Sequence, residues 1–160
     1  MPRTSDTAHT PSPLTITQAL RAEHVVFHNL FDHLERAIPQ ARTLAEVRAI
    51  SSVLEAMLHG HAVVEDEVLM EPLDPTLSQM GQQENFHEEH EEIDRDLQSI
   101  RTARSLAQAK WTLQKVVVMS RRHFYKEETV VFPLAEKVLS HRSLVSLGKR
   151  WAEQRKAPPA

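Results

Sequence analysis

The sequence predicts an all-α protein: an up-down-up-down four-helix bundle with a short C-terminal helix and a flexible N-terminal arm. Three observations predict it. Only 3 glycines occur in 160 residues, against 41% hydrophobic and 26% charged residues, a balance ordinary for a globular domain. Apolar residues recur at helical spacing along four stretches. Each stretch opens on a hydroxyl residue followed three positions later by Gln or Glu, the order that caps a helix start. The length suffices for one domain with its own core. The net charge of −3 gives no reason to expect nucleic acid or an anionic membrane as partner. Absence of cysteine excludes disulfides, thiolate catalysis and cysteine-ligated clusters. No apolar run near 20 residues and no charged-then-apolar leader occurs, so the expected location is the cytoplasm.

Residues 1–14 are small, polar and broken by proline, and read as the arm, with His9 inert within it. Thr15 to Gln18 opens the first helix, whose stripe is Leu20, Phe27, Leu30, Phe31, Leu34 and Ile38, with His24 and His28 on or beside it; Pro39 closes it. Thr43 to Glu46 opens the second, with Val47, Ile50, Leu54, Met57 and Leu58 leading into His61, Glu65 and Val68. Pro72 and the Asp74–Pro75 step are expected to end it, leaving a proline-fixed loop over 71–77. Thr76 to Gln79 is the expected cap of the third helix, which carries His87, His90, Ile93, Leu97 and Ile100. Ser105 to Gln108 opens the fourth, striped by Leu113, Val116, Val117, Ser120, His123, Glu127, Val131 and Leu134, with Pro133 kinking or closing it. Bundle residues thus span 15–139. Residues 140–160 supply a terminal helix using Leu144, Leu147 and Trp151, then a tail.

The chemistry lies where these stripes change character. His61 and Glu65, and again His123 and Glu127, stand four residues apart and share one helix face. Both pairs continue the phase of an apolar stripe, so they point inward, where an unpaired charge is expensive. His24 and His90 occupy matching positions on the other two helices, so the chain reads as a duplicated hairpin: one inward His, then an inward His-x-x-x-Glu. Four imidazoles and two carboxylates suit a borderline transition metal such as iron, manganese or zinc, although cysteine-free sets fit structural zinc poorly. The count favours two ions, each taking two imidazoles and sharing both carboxylates as bridges, with an oxo, hydroxo or water bridge between them. His28 and His87, each within a turn of a proposed ligand, are candidates for a fifth imidazole or an outer hydrogen-bond partner. His33, His59 and His141 read as solvent-facing, Tyr125 as pointing away, and Met57 and Met119 as core filler.

The set His24, His61-x-x-x-Glu65, His90 and His123-x-x-x-Glu127 resembles the hemerythrin-like (HHE cation-binding) domain family over about residues 15–139. The surrounding Leu20-Arg-Ala-Glu-His24, Glu89-His-Glu-Glu-Ile93 and the run into Pro133 agree. The resemblance implies a non-heme di-iron centre, two iron ions with an oxo or hydroxo bridge, meeting a peroxide or a small diatomic ligand. Oxygen-carrying members use a His-x-x-x-His pair on the third helix and an Asp five residues after the last His. Here the third helix has His87-Glu-Glu-His90, and Glu127 and Glu128 stand at plus four and plus five. That pattern is closer to bacterial, including mycobacterial, relatives than to the oxygen carriers.

The first functional expectation is therefore a catalase-like oxidoreductase that disproportionates hydrogen peroxide. The alternatives are an O2 or NO binding, sensing or scavenging protein, iron storage or delivery at the same site, and a metal-free bundle with a satisfied His/Glu network. The site expected in all but the last is His24, His61, Glu65, His90, His123 and Glu127. A redox or signalling partner is left open.

Overall fold

The structure, a computed structural model, describes residues 13–80 and 83–156, with side chains of the third long helix described from residue 86 onward. The arm expected over residues 1–14 falls almost wholly outside the described residues. Among those described there is no strand, and the helices are α1 (Ile16–Gln40), α2 (Leu44–Glu65), α3 (Glu71–Gln79), α4 (Gln83–Thr102), α5 (Leu106–Lys126), α6 (Phe132–Val138) and α7 (His141–Gln154). The long helices α1, α2, α4 and α5 make the predicted bundle, with α5 packed on α1, α2 and α4. No described helix is long and apolar enough to cross a membrane.

The capping residues act as their chemistry requires. Thr15 and Thr43 accept from the backbone N–H groups of Gln18 and Glu46, whose side chains accept from the threonine N–H groups in return. Ser105 accepts from Gln108 N–H, and Ser140 from Ser143 N–H. Short connections after α1 and α4 turn the chain back on itself, so these neighbours run antiparallel.

The prolines behave differently from expectation. Glu65 and Glu127 are each at the border of a single π-helical turn, Asp66–Met70 and Glu127–Val131, and the helix then resumes as α3 and α6. Pro72 and Pro133 fall in the first turn after the register change, where a missing N–H is tolerated. The second stretch therefore runs past Pro72 and Pro75 to Gln79, with no loop at 71–77. Thr76 lies inside α3 and caps nothing. Pro39 is likewise inside the last turn of α1, which ends at Gln40.

Two apolar clusters fill the interior. One gathers Phe27, Phe31, Leu54, Leu58, Ile93, Leu97, Leu113, Val117 and Phe124. The other gathers Leu20, Val64, Val68, Leu73, Leu77, Phe86, Val131, Phe132 and Leu144. On α1, α2 and α4 the inward histidine lies between a residue of the first cluster and one of the second, and His123 of α5 lies between Val117 of the first and Val131 of the second just past the helix, so the polar groups form a layer between two greasy halves. The structure moves one stripe residue outward: Met57 is 36% exposed and edges a surface groove, so it is not core filler. Its neighbour Leu58 takes the inward place.

Candidate metal centre

All six inward groups meet in this layer. His24, His61, Glu65, His123 and Glu127 are buried, and His90 is nearly so. The imidazoles come in two pairs. Nε2 of His24 lies 3.2 Å from Nε2 of His61, and Nε2 of His123 lies 2.7 Å from Nε2 of His90. An ion holding imidazole nitrogens at about 2.1 Å puts two adjacent ligands about 3 Å apart, so each pair has the spacing of ligands on a common ion. The carboxylates lie between the pairs. Glu65 Oε2 is 3.8 Å from Nε2 of both His61 and His90. Glu127 Oε2 is 3.2 Å from His24 Nε2, while its Oε1 contacts His123 and lies 3.9 Å from His90. Two groupings of possible ligand atoms result, Glu65–His90–His123–Glu127 and His24–His61–Glu127, with Glu127 in both.

The outer nitrogens explain why the inner ones are lone pairs. Nδ1 of His61 is 2.6 Å from Glu23, Nδ1 of His24 is 2.9 Å from Glu128, and Nδ1 of His123 is 2.8 Å from Glu89. A carboxylate only accepts, so each of these Nδ1 atoms carries the proton, and each ring in its neutral form offers Nε2 inward as an acceptor. His90 Nδ1 faces Asp66 at 3.6 Å, too far for a hydrogen bond. With the rings neutral, as metal binding requires, the interior is thus a set of acceptors without donors. Both oxygens of Glu65, and Oε2 of Glu127, are buried and lack a hydrogen-bond partner. Such a set is costly on its own and is satisfied by cations, which is the test the donor chemistry passes.

With no ion bound, protons are drawn to the same groups. Burial and the neighbouring charge of Glu127 push the Glu65 carboxyl well above its usual range. Burial acts in the same sense on Glu127, but the close approach of His123, and after it of His24, outweighs burial and holds Glu127 well below. Burial lowers His61 despite its Glu23 partner. For His123, burial is overcome by Glu127 and Glu89, which raise it to about 9. Glu23 is held down to about 2: burial opposes this, and the hydrogen bonds of His61 and Arg155 prevail.

The remaining histidines among the described residues stand apart. His28 Nδ1 is 3.3 Å from the Arg121 guanidinium and belongs to neither grouping. His87 is half exposed and meets Asp66 at 3.5 Å, which makes it an outer neighbour of His90's partner. His33, His59, His141 and Tyr125 are exposed, as predicted. Residue-type reasoning did not single out Glu23, Glu89 and Glu128 as imidazole partners, or Asp66 as the acid facing His90. A signal existed: an acid precedes each lone His, and an acid follows each Glu of the His-x-x-x-Glu pairs.

A cavity of about 20 Å³ adjoins the layer, lined by His61, His90, His123 and Ser120 together with apolar Leu58 and Phe124. It has room for a molecule of one or two heavy atoms. Ser120 is fully buried, and its Oγ has no hydrogen-bond partner. On the opposite side the Phe124 ring stacks on His24 with centroids 4.0 Å apart.

A helical bundle whose interior presents four imidazoles and two carboxylates, with acids behind the imidazoles, defines a class: the His/carboxylate metal-binding bundles. A model of the hemerythrin HHE cation binding domain matches residues 15–135, and the chain belongs to that family. Neither the curated proteins nor the solved structures yielded a match.

Proposed function

We propose that this chain is a non-heme di-iron oxidoreductase that disproportionates hydrogen peroxide, two molecules of peroxide giving two of water and one of O2. The observation that carries the reading is the donor-free layer of four inward Nε2 atoms and two carboxylates beside a cavity of about 20 Å³. His24 and His61 would hold one ion, His90 and His123 the other, and Glu65 and Glu127 would serve both. Iron bound there supplies a redox couple able to take electrons from one peroxide and return them to the next. The residues do the rest. Leu58 and Phe124 keep the cavity apolar, which restricts it to small neutral molecules. The Ser120 hydroxyl, otherwise unpartnered, is the group able to hydrogen-bond a peroxide oxygen and orient it.

The same cavity would take O2 or NO, and a binding or sensing role at this site is the second reading. Turnover separates the two. Protein reconstituted anaerobically with ferrous iron is expected to bind about two irons per chain and to evolve O2 from peroxide. His61→Ala and Glu127→Ala are expected to lose iron and activity together. Activity that survives iron removal overturns the proposal, and a reversible spectral change under O2 or NO without peroxide turnover favours the second reading.

A further inference from the structure

The two halves of the centre are not supported alike. In the half built on α4 and α5, Glu89 holds His123 and is itself held by Lys126, all three residues lying within 15–135. In the half built on α1 and α2, Glu23 holds His61, but its other partners come from the terminal helix and the residue just after it. Trp151 Nε1–H donates to Glu23 Oε1 at 2.9 Å, and Arg155 donates from Nε to Oε1 at 2.6 Å and from Nη2 to Oε2 at 2.8 Å. Both lie beyond the matched region.

Arg155 does more than neutralise Glu23. Its Nη1 donates at 2.8 Å to the carbonyl of Gly60, the residue before His61. Along this stretch α1 and α2 are separated by a groove of about 310 Å³, edged by Glu23, Met57, Gly60, His61 and Arg155. One planar guanidinium thus spans the groove, gripping a side chain of α1 and the backbone of α2 next to two of the inward imidazoles. A lysine has one donor atom and no fork, so it cannot reach three separate acceptors in this arrangement.

We propose that α7 with Arg155 is a built-in positioning element for one half of the metal centre: Trp151 and Arg155 fix Glu23, and Glu23 fixes the ring of His61 so that its Nε2 stays aimed beside His24. The two ion positions are therefore unequal, and only one depends on the terminal helix. This rests on the two-ion reading above.

The test uses the full chain loaded anaerobically with ferrous iron, then challenged with a graded chelator. Trp151→Phe keeps the ring and removes the donor; Arg155→Met and Arg155→Lys remove the fork; Lys126→Met addresses the other half. Outer-partner losses weaken metal binding by roughly 10–100-fold. The expected result is that Trp151→Phe and both Arg155 variants release one iron at 10–100-fold lower chelator while the second iron is held as in the parent. Lys126→Met is expected to loosen one iron as well, and combining it with Arg155→Met to loosen both. Release of both irons together in Arg155→Met, tracking a fall in the metal-free Tm, would make the residue a general structural one and overturn the inference. So would unchanged retention of both irons in folded Trp151→Phe and Arg155→Lys. A parent chain that takes up no metal overturns the reading beneath it, an outcome visible before any variant is made.

Discussion

Ser120 shows how a single hydroxyl can be a cost to the fold and an asset to the site. Its Oγ is buried and unpartnered in a cavity that touches three of the four inward imidazoles. An unsatisfied buried polar atom costs about 1–3 kcal/mol, so Ser120→Ala is expected to raise the Tm of the metal-free protein by several degrees. The same change removes the hydrogen bond available to a small ligand, worth about a factor of ten. Nitric oxide affinity of the iron-loaded variant, followed by its visible spectrum, is expected to fall accordingly. A lower Tm with unchanged nitric oxide affinity would contradict both expectations. At this scale much was legible in the sequence. His61, Glu65, His123 and Glu127 could be picked out because they continue an apolar stripe, and an inward polar group in phase with a core is rare without a purpose. Their outer partners were not, because Glu89, Asp66 and Glu128 lie in acidic runs that look like solvated surface until a second helix is brought against them.

Elements carry the next level of the design. Each His-x-x-x-Glu helix changes register by one π turn at its glutamate and then continues through a proline. Sequence reasoning reads Pro72 and Pro75 as a stop because it assumes an unbroken i to i−4 ladder; once the ladder has shifted, the missing N–H of Pro72 no longer interrupts it. The capping boxes of α1 and α2 were legible for the opposite reason, since they depend only on residues within one turn. The seating of α7 depends on Gly148. A Cβ there would run into the Leu14 carbonyl oxygen and lie 3.1 Å from the Thr15 carbonyl carbon, where backbone cannot yield cheaply. Gly148→Ala is expected to lift α7 from the start of α1 and carry Trp151 and Arg155 away from Glu23. The resulting chain should have a lower Tm and lose one iron earlier in a chelator titration, as Arg155→Met does, although it touches neither Glu23 nor an imidazole.

At the scale of the whole molecule the centre and the fold share one free-energy account. The layer of acceptors between the two apolar clusters weakens the bundle when nothing positive fills it, so an ion that binds only the folded chain stabilises it by mass action. Free ion at 100 times its Kd contributes about 2.7 kcal/mol. Chelation is therefore expected to lower the Tm by several degrees, measurable by calorimetry with and without ferrous iron. Imidazoles bind metal only after losing a competing proton, and Glu127 and Glu89 raise His123 to about 9, so iron affinity is expected to weaken as the pH falls below that value. A Tm indifferent to iron would leave the donor-free layer without its counterpart.

The pairing within that layer follows a crossed pattern. His24 and His61 belong to the first half of the chain, and His90 and His123 to the second. Yet the acids opposite the lone histidines are exchanged: Asp66 of the first half faces His90, and Glu128 of the second half holds His24. Glu65 likewise reaches His90, and Glu127 reaches His24. Neither half holds a finished set. A chain of half this length, carrying one helix with a lone His and one with His-x-x-x-Glu, could complete such a site only by embracing a second copy of itself about a twofold axis. The present chain carries both partners of that embrace in one strand. Fusion is what allows one of them to be buttressed by α7 and the other to go without.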